Sequence, residues 1–102
     1  MTKKPKRLSP IHPGEVLKTA CEGASLAPNA VALAMRIPPN RLTEIINGRR
    51  SISADTAMRL GRYFGTSAQM WMNLQSRYDL EVAEAKLSER IASEVQPYRQ
   101  TA

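Results

Sequence analysis

The chain has a single cysteine and a single histidine in 102 residues. Cys21 can therefore neither close an internal disulfide nor build a CxxC zinc site, and His12 has no second ligand beside it. No metal and no cofactor is expected. Long apolar runs are also missing: the longest is the six residues from Ala30 to Met35, far short of the roughly 18 that a membrane span requires. The basic segment from Met1 to Pro10 lacks the apolar stretch of a secretory leader, so the expectation is a soluble, cytoplasmic chain with no membrane partner. No stretch of four or more residues alternates as a half-buried strand does while being rich in Val, Ile or Thr, which makes the class all-α. Catalysis lacks a set of residues. Asp79, Glu81 and Glu84 read as solvated carboxylates on a helix surface, and no nucleophile and base can be placed together.

What is present is an ordinary globular composition, 42% hydrophobic and 24% charged, at a length suited to one core. Acidic residues are scarce in one half only. Residues 1–50 hold nine Lys/Arg against three Asp/Glu, whereas residues 51–102 hold six against six, so the net charge of +6 lies in the first half. From Tyr78 to Val95 the sign reverses, with Asp79, Glu81, Glu84, Glu89 and Glu94 against Lys86 and Arg90. A basic half joined to an acidic tail suits one polyanionic partner and one other partner.

The helices follow from spacing and punctuation. Pro13 opens a first helix reaching about Ala24, with Val16, Leu17, Ala20, Cys21 and Ala24 at helical spacing. Pro28 opens a second, with Ala30, Val31, Ala34 and Met35 as its stripe, and it stops before Pro38. Pro39 opens a third, buried through Leu42, Ile45 and Ile46 and ended by Gly48. Ser53 caps a fourth, carrying Ala57, Met58, Leu60, Gly61 and Phe64. The spacing Thr66-x-x-Gln69 suggests a capping box for a fifth, where Trp71, Leu74, Gln75 and Tyr78 share a face. Leu80, Ala83, Leu87, Ile91 and Val95 continue a stripe, as one long helix or two. The methionines Met35, Met58, Met70 and Met72 read as core filling, and Cys21 as a buried thiol. The domains expected are a flexible basic arm over residues 1–9, a helical domain over 10–83 and a helical tail over 84–102.

Two short helices joined by a turn, over about residues 27–47, followed by Arg49 and Arg50, have the layout of a helix-turn-helix. With Leu42 at 0° and about 100° per residue, Ile45 lies at about 300° and Ile46 at about 40°, so the exposed pole is near 174°. Asn40 falls at about 160°, Glu44 at about 200° and Asn47 at about 140°, flanked by Thr43 and Arg41. Amides, a carboxylate and a guanidinium are the groups that read base edges: Asn pairs with adenine, Arg with guanine, and Glu accepts from cytosine.

The stretches IHPGEVL (Ile11 to Leu17), PPNR (Pro38 to Arg41), NGRR (Asn47 to Arg50), ADTAMRLGRYFGTS (Ala54 to Ser67) and WMNLQ (Trp71 to Gln75) occur in an order and spacing that resembles the HigA-type antitoxins of the Xre/Cro/C1 helix-turn-helix family. The resemblance covers about Pro10 to Ala83 and implies a five-helix bundle of the lambda-repressor type with a helical extension. It further implies a homodimeric repressor that binds double-stranded operator DNA, autoregulates its operon and neutralises a cognate HigB-type toxin, a RelE-like mRNA endonuclease. Carried over by position, base reading falls on Pro39, Asn40, Arg41, Thr43 and Glu44, with Asn47, Arg49 and Arg50 beside phosphates and Asn29 at the start of the second helix. Two positions depart from the family pattern: Pro28 stands where Gln is usual, and Arg36 where the inter-helix turn usually has Gly. A dimer interface is expected on Trp71, Leu74 and Tyr78. Two other readings fit the same residues: a stand-alone phage-like repressor, and an interaction module that does not bind DNA.

Overall fold

The computed structural model describes residues 9–99; apart from its last residue, Ser9, the basic arm lies outside the described residues, as does the end of the tail. Five helices and no strand are present among them: α1 (Pro13–Gly23), α2 (Pro28–Met35), α3 (Pro39–Ile46), α4 (Ala54–Phe64) and α5 (Ala68–Glu94). Proline occupies the first position of α1, α2 and α3, where its missing N–H costs nothing and its fixed φ favours the helical turn. At the other ends, Gly48 adopts φ 76° after α3, and the Arg49 N–H donates to the Glu44 carbonyl at 2.8 Å, closing the last turn in the glycine-dependent way. Arg36 takes the same left-handed conformation after α2, φ 61°, which costs an L-residue about 1 kcal/mol. Ile37, 95% buried, then donates to the Ala32 carbonyl at 3.0 Å.

Leu17, Val31, Leu42, Ile45, Ala57, Leu60 and Trp71 are fully or almost fully buried and form one core. α1 packs on α3 and α5, α2 on α3 and α4, and α4 on α5, whose buried residues Trp71 and Gln75 lie in its first half. Three expectations are corrected. On α2 the buried residues are Val31, Ala32 and Met35, while Ala30 and Ala34 are exposed and Leu33 is 65% exposed, because α2 is apolar all round and its sequence does not say which side faces inward. Met58 is 67% exposed on α4. The capping box at Thr66 and Gln69 does not form: Ser67 is the N-cap and accepts from the Met70 N–H at 3.0 Å, while the Thr66 hydroxyl accepts from Trp71 Nε1 at 2.9 Å. The tail is a single helix with α5, which makes the molecule 57 Å long.

The first turn of α1 is fixed by His12. Its Nδ1 accepts from the Gly14 N–H at 2.8 Å, its own N–H donates to Glu15 at 3.2 Å, and its ring meets Tyr78 of α5 edge-on at 4.8 Å. Gly14 lies so close to the last turn of α3 that a Cβ there would sit on the Ile45 carbonyl. Gly14→Ala therefore forces α1 and α3 apart and should destabilise the fold by about 1–3 kcal/mol, read as a lowered denaturation midpoint. Burial holds the His12 imidazole below its ordinary pKa, against the opposing fields of Glu15 and Asp79. The folded state thus binds the proton less readily than the unfolded chain. The stability His12 contributes is complete above its unfolded pKa of about 6.5 and falls as pH drops through the window beneath it. Comparing denaturant midpoints at pH 7.5 and 5.0, His12→Asn, which keeps an N-cap but does not titrate, should lose less stability than the native chain.

Candidate nucleic-acid interface

The buried face of α3 is Leu42 and Ile45, with Ile46 half-buried, and this fixes which residues face out. Pro39, Asn40, Thr43 and Asn47 are exposed, and Arg41 and Glu44 are half-buried. The Thr43 hydroxyl donates to the Pro39 carbonyl at 3.1 Å, leaving the oxygen's lone pairs able to accept. Asn40 and Asn47 offer both amide donors and acceptors. Arg49 and Arg50 are exposed in the turn that leaves α3.

Arg50 is not a free cation. Its Nε donates to Glu44 Oε1 at 2.8 Å, with the two side chains 50% and 38% exposed. The pair offsets the charge of the one carboxylate on this face. Arg49 beside it has no ion-pair partner among the described residues. Asn29 is exposed at the second position of α2, whose N-cap, Ala27, offers no side-chain acceptor. The helix start there has free N–H groups and the positive end of the dipole, an arrangement that suits an anion.

Two residues that hold this face were not read as functional. Gln75 of α5 is 95% buried; its Oε1 accepts from the Ile52 N–H at 2.7 Å and its Nε2 donates to Asp79 at 2.9 Å, tying the Arg49–Arg50 turn to α5. A polar residue on the buried face of a helix was the signal that could have found it. His12 is the other, its ring lying beside Gly48. Of the three residues expected to form a dimer contact, Trp71 is corrected: it is 98% buried, bonded to Thr66 and part of this chain's own core, so it has no surface to offer. Leu74 and Tyr78 remain half-buried. Beyond them Leu80, Leu87 and Ile91 are 38–59% exposed. Among the described residues there is no cluster of His, Cys, Asp or Glu fit for a metal, and no helix long and apolar enough to cross a membrane.

The sequence pattern of the helix-turn-helix family matches residues 17–71. Virulence-associated protein I of Dichelobacter nodosus is 48% identical over 75 residues, 72% of this chain and 69% of that protein. Among solved structures, an addiction module antidote protein of the HigA family from Coxiella burnetii superposes with a TM-score of 0.83 at 46% identity, covering 89% of this chain and all of the other. The Pseudomonas aeruginosa antitoxin HigA, solved with the higBA promoter, gives a TM-score of 0.84 at 45% identity over 88% of this chain and 99% of its own.

Because Gln75 satisfies a buried backbone N–H, Gln75→Leu leaves Ile52 without a partner. That should cost about 1–3 kcal/mol in chemical denaturation, and amide hydrogen exchange should rise first at Arg49 to Ile52.

Proposed function

The chain belongs to the helix-turn-helix family, and within it to the HigA-type antitoxins of the Xre branch, and from that membership we propose that it is a homodimeric DNA-binding repressor and antitoxin. The family is one of regulators, not of enzymes. α3 enters the major groove of an operator in its own promoter; Asn40, Glu44, Arg41 and Thr43 face the bases, with Pro39 at the leading end. Arg49, Asn47, Asn29 and Arg50 lie toward the phosphates. The protein acts in the cytoplasm, where it also neutralises a RelE-like mRNA endonuclease encoded beside it, through a surface apart from α3.

The observation that carries this reading is the outward face of α3, where base-reading amides and a carboxylate braced by Arg50 are set on a helix whose inner side is sealed in the core. Similarity to HigA with the higBA promoter supports the DNA partner. A single reading helix covers one half-site, and two-fold pairing sets a second helix about 34 Å away, one turn of DNA along. α5 is the surface proposed for that pairing, through Leu74, Tyr78 and the exposed stripe after them.

Fluorescence anisotropy with the chain's own promoter at several salt concentrations tests the assignment. Arg49→Ala should weaken binding to every sequence and lower the log–log salt slope by about 1. Asn40→Ala should instead cost about 1–3 kcal/mol of discrimination between operator and random DNA with the slope kept. Equal, sequence-blind losses for both variants would sink the assignment. In a co-purification with the product of the adjacent gene, Arg41→Ala and Arg49→Ala should retain the toxin; loss of it would show that α3 serves both partners.

A further inference from the structure

The one histidine of the chain is joined to the base-reading face by an unbroken set of contacts. His12 is 93% buried, and its Nδ1 accepts from the Gly14 N–H at 2.8 Å. Gly14 lies against the Ile45 carbonyl at the end of α3. That carbonyl accepts from the Gly48 N–H at 3.0 Å, and the N–H of Arg49, next in the chain, donates to the Glu44 carbonyl at 2.8 Å. The imidazole itself lies beside Gly48. The route runs from the first turn of α1, through the last turn of α3, to the turn bearing Arg49 and Arg50, and the ring stands at both ends of it.

Only a neutral ring can make the first of these bonds. An imidazole nitrogen accepts through its lone pair, whereas in the imidazolium both nitrogens are donors. A proton on Nδ1 therefore sets one N–H against another across the Gly14 contact. Either the α1 turn then moves, and with it the Gly14 surface on which α3 ends, or the ring moves, and with it the support of Gly48. Both movements arrive at the exit of α3. We infer that His12 is a positioning residue for operator binding whose neutral ring holds the Arg49–Arg50 turn, so that a proton taken up there releases DNA from a surface the ring never touches. This rests on the operator reading above and adds a pH dependence to it.

The groups around the ring come from three elements. α1 supplies Glu15, whose carboxylate accepts from the His12 backbone N–H at 3.2 Å. α5 supplies Tyr78, edge-on to the ring at 4.8 Å, and the charge of Asp79. The exit of α3 supplies Gly48, beyond which Arg49 and Arg50 are exposed. Both carboxylates favour the imidazolium, yet burial outweighs them and holds the ring below its ordinary pKa. It is thus neutral at pH 7.5 and takes its proton in the window beneath about 6.5. Coupling of this kind is reciprocal: if the proton weakens operator binding, bound operator must hold the proton off to the same degree.

Fluorescence anisotropy of the full chain on its own promoter, at pH 7.5 and 5.0 and constant ionic strength, reads the coupling, with circular dichroism to follow helix content. The dissociation constant of the native chain should rise fivefold or more at pH 5.0 with helix content kept. His12→Asn, which keeps an N-cap acceptor and does not titrate, should change less than twofold between the same two conditions. Equal changes in the two proteins, or a loss of native affinity that tracks a loss of helix, overturn the role of His12. Should the variant not fold, NMR of the native chain decides the same point. As the one imidazole titrates, the amides of Gly48, Arg49 and Arg50 should shift with its midpoint, and adding operator should move that midpoint to lower pH. Shifts confined to residues 12–15, or a midpoint that DNA leaves in place, overturn it. A native chain that binds no promoter at pH 7.5 overturns the operator reading instead, and the amide shifts still report whether ring and turn move together.

Discussion

The contact on which the rest depends is the approach of the start of α1 to the end of α3 at Gly14 and Ile45. A helix of eight residues such as α3 has no stability of its own in water, so its direction is set by what its ends touch. Gly14 removes the one side chain that would keep the two backbones apart. His12 then holds the α1 turn in shape while its ring fills the space between Gly48 and Tyr78. Through this joint the end of α3, the turn bearing Arg49 and Arg50, and the middle of α5 are in direct contact. Gln75 secures the same turn from the other side through the Ile52 N–H. The exposed face of α3 is thus positioned by residues that never leave the interior.

Much of this was legible in the sequence because it is local. Proline at a first helical turn, glycine in the left-handed exit at Gly48, and Ser53 as a cap act within four residues of themselves, and the spacing of Leu42, Ile45 and Ile46 is enough to aim α3. What failed was of two kinds. In α2 every residue after Asn29 is apolar, so periodicity carries no information about the inner side, and Ala32 rather than Ala34 is the one enclosed. At the start of α5, Thr66 and Ser67 are both competent caps; the choice is made by Trp71, whose indole N–H needs the Thr66 hydroxyl once the ring is buried. Gln75 stands out only as a polar residue on an apolar face, and neither its partner Ile52 nor the contact of His12 with Tyr78 is announced by a short pattern, because both lie far away in the chain.

α5 changes character along its length. Up to Tyr78 it belongs to the core, contributing Trp71 and Gln75; from Glu84 on its residues are exposed, and Leu87 and Ile91 form an apolar seam that no other described residue covers. The alternating carboxylates there, with the Arg77–Glu81 and Arg90–Glu94 pairs at 3.6 and 3.1 Å, support the helix locally without covering that seam. Among the described residues, Arg36, Arg41, Arg49 and Arg50 of the basic first half lie in or beside α3, and the acidic segment from Tyr78 to Val95 is this projecting half-helix.

The pairing of Glu44 with Arg50 also shapes the field around α3. While the pair is closed its two charges offset each other, so this face attracts a polyanion less than its basic residues alone would. An exposed pair of this kind contributes only about 0–1 kcal/mol, so water or any polar group that offers either side chain a comparable bond can open it. The net charge of the face is therefore governed by a contact that is made and broken at little cost.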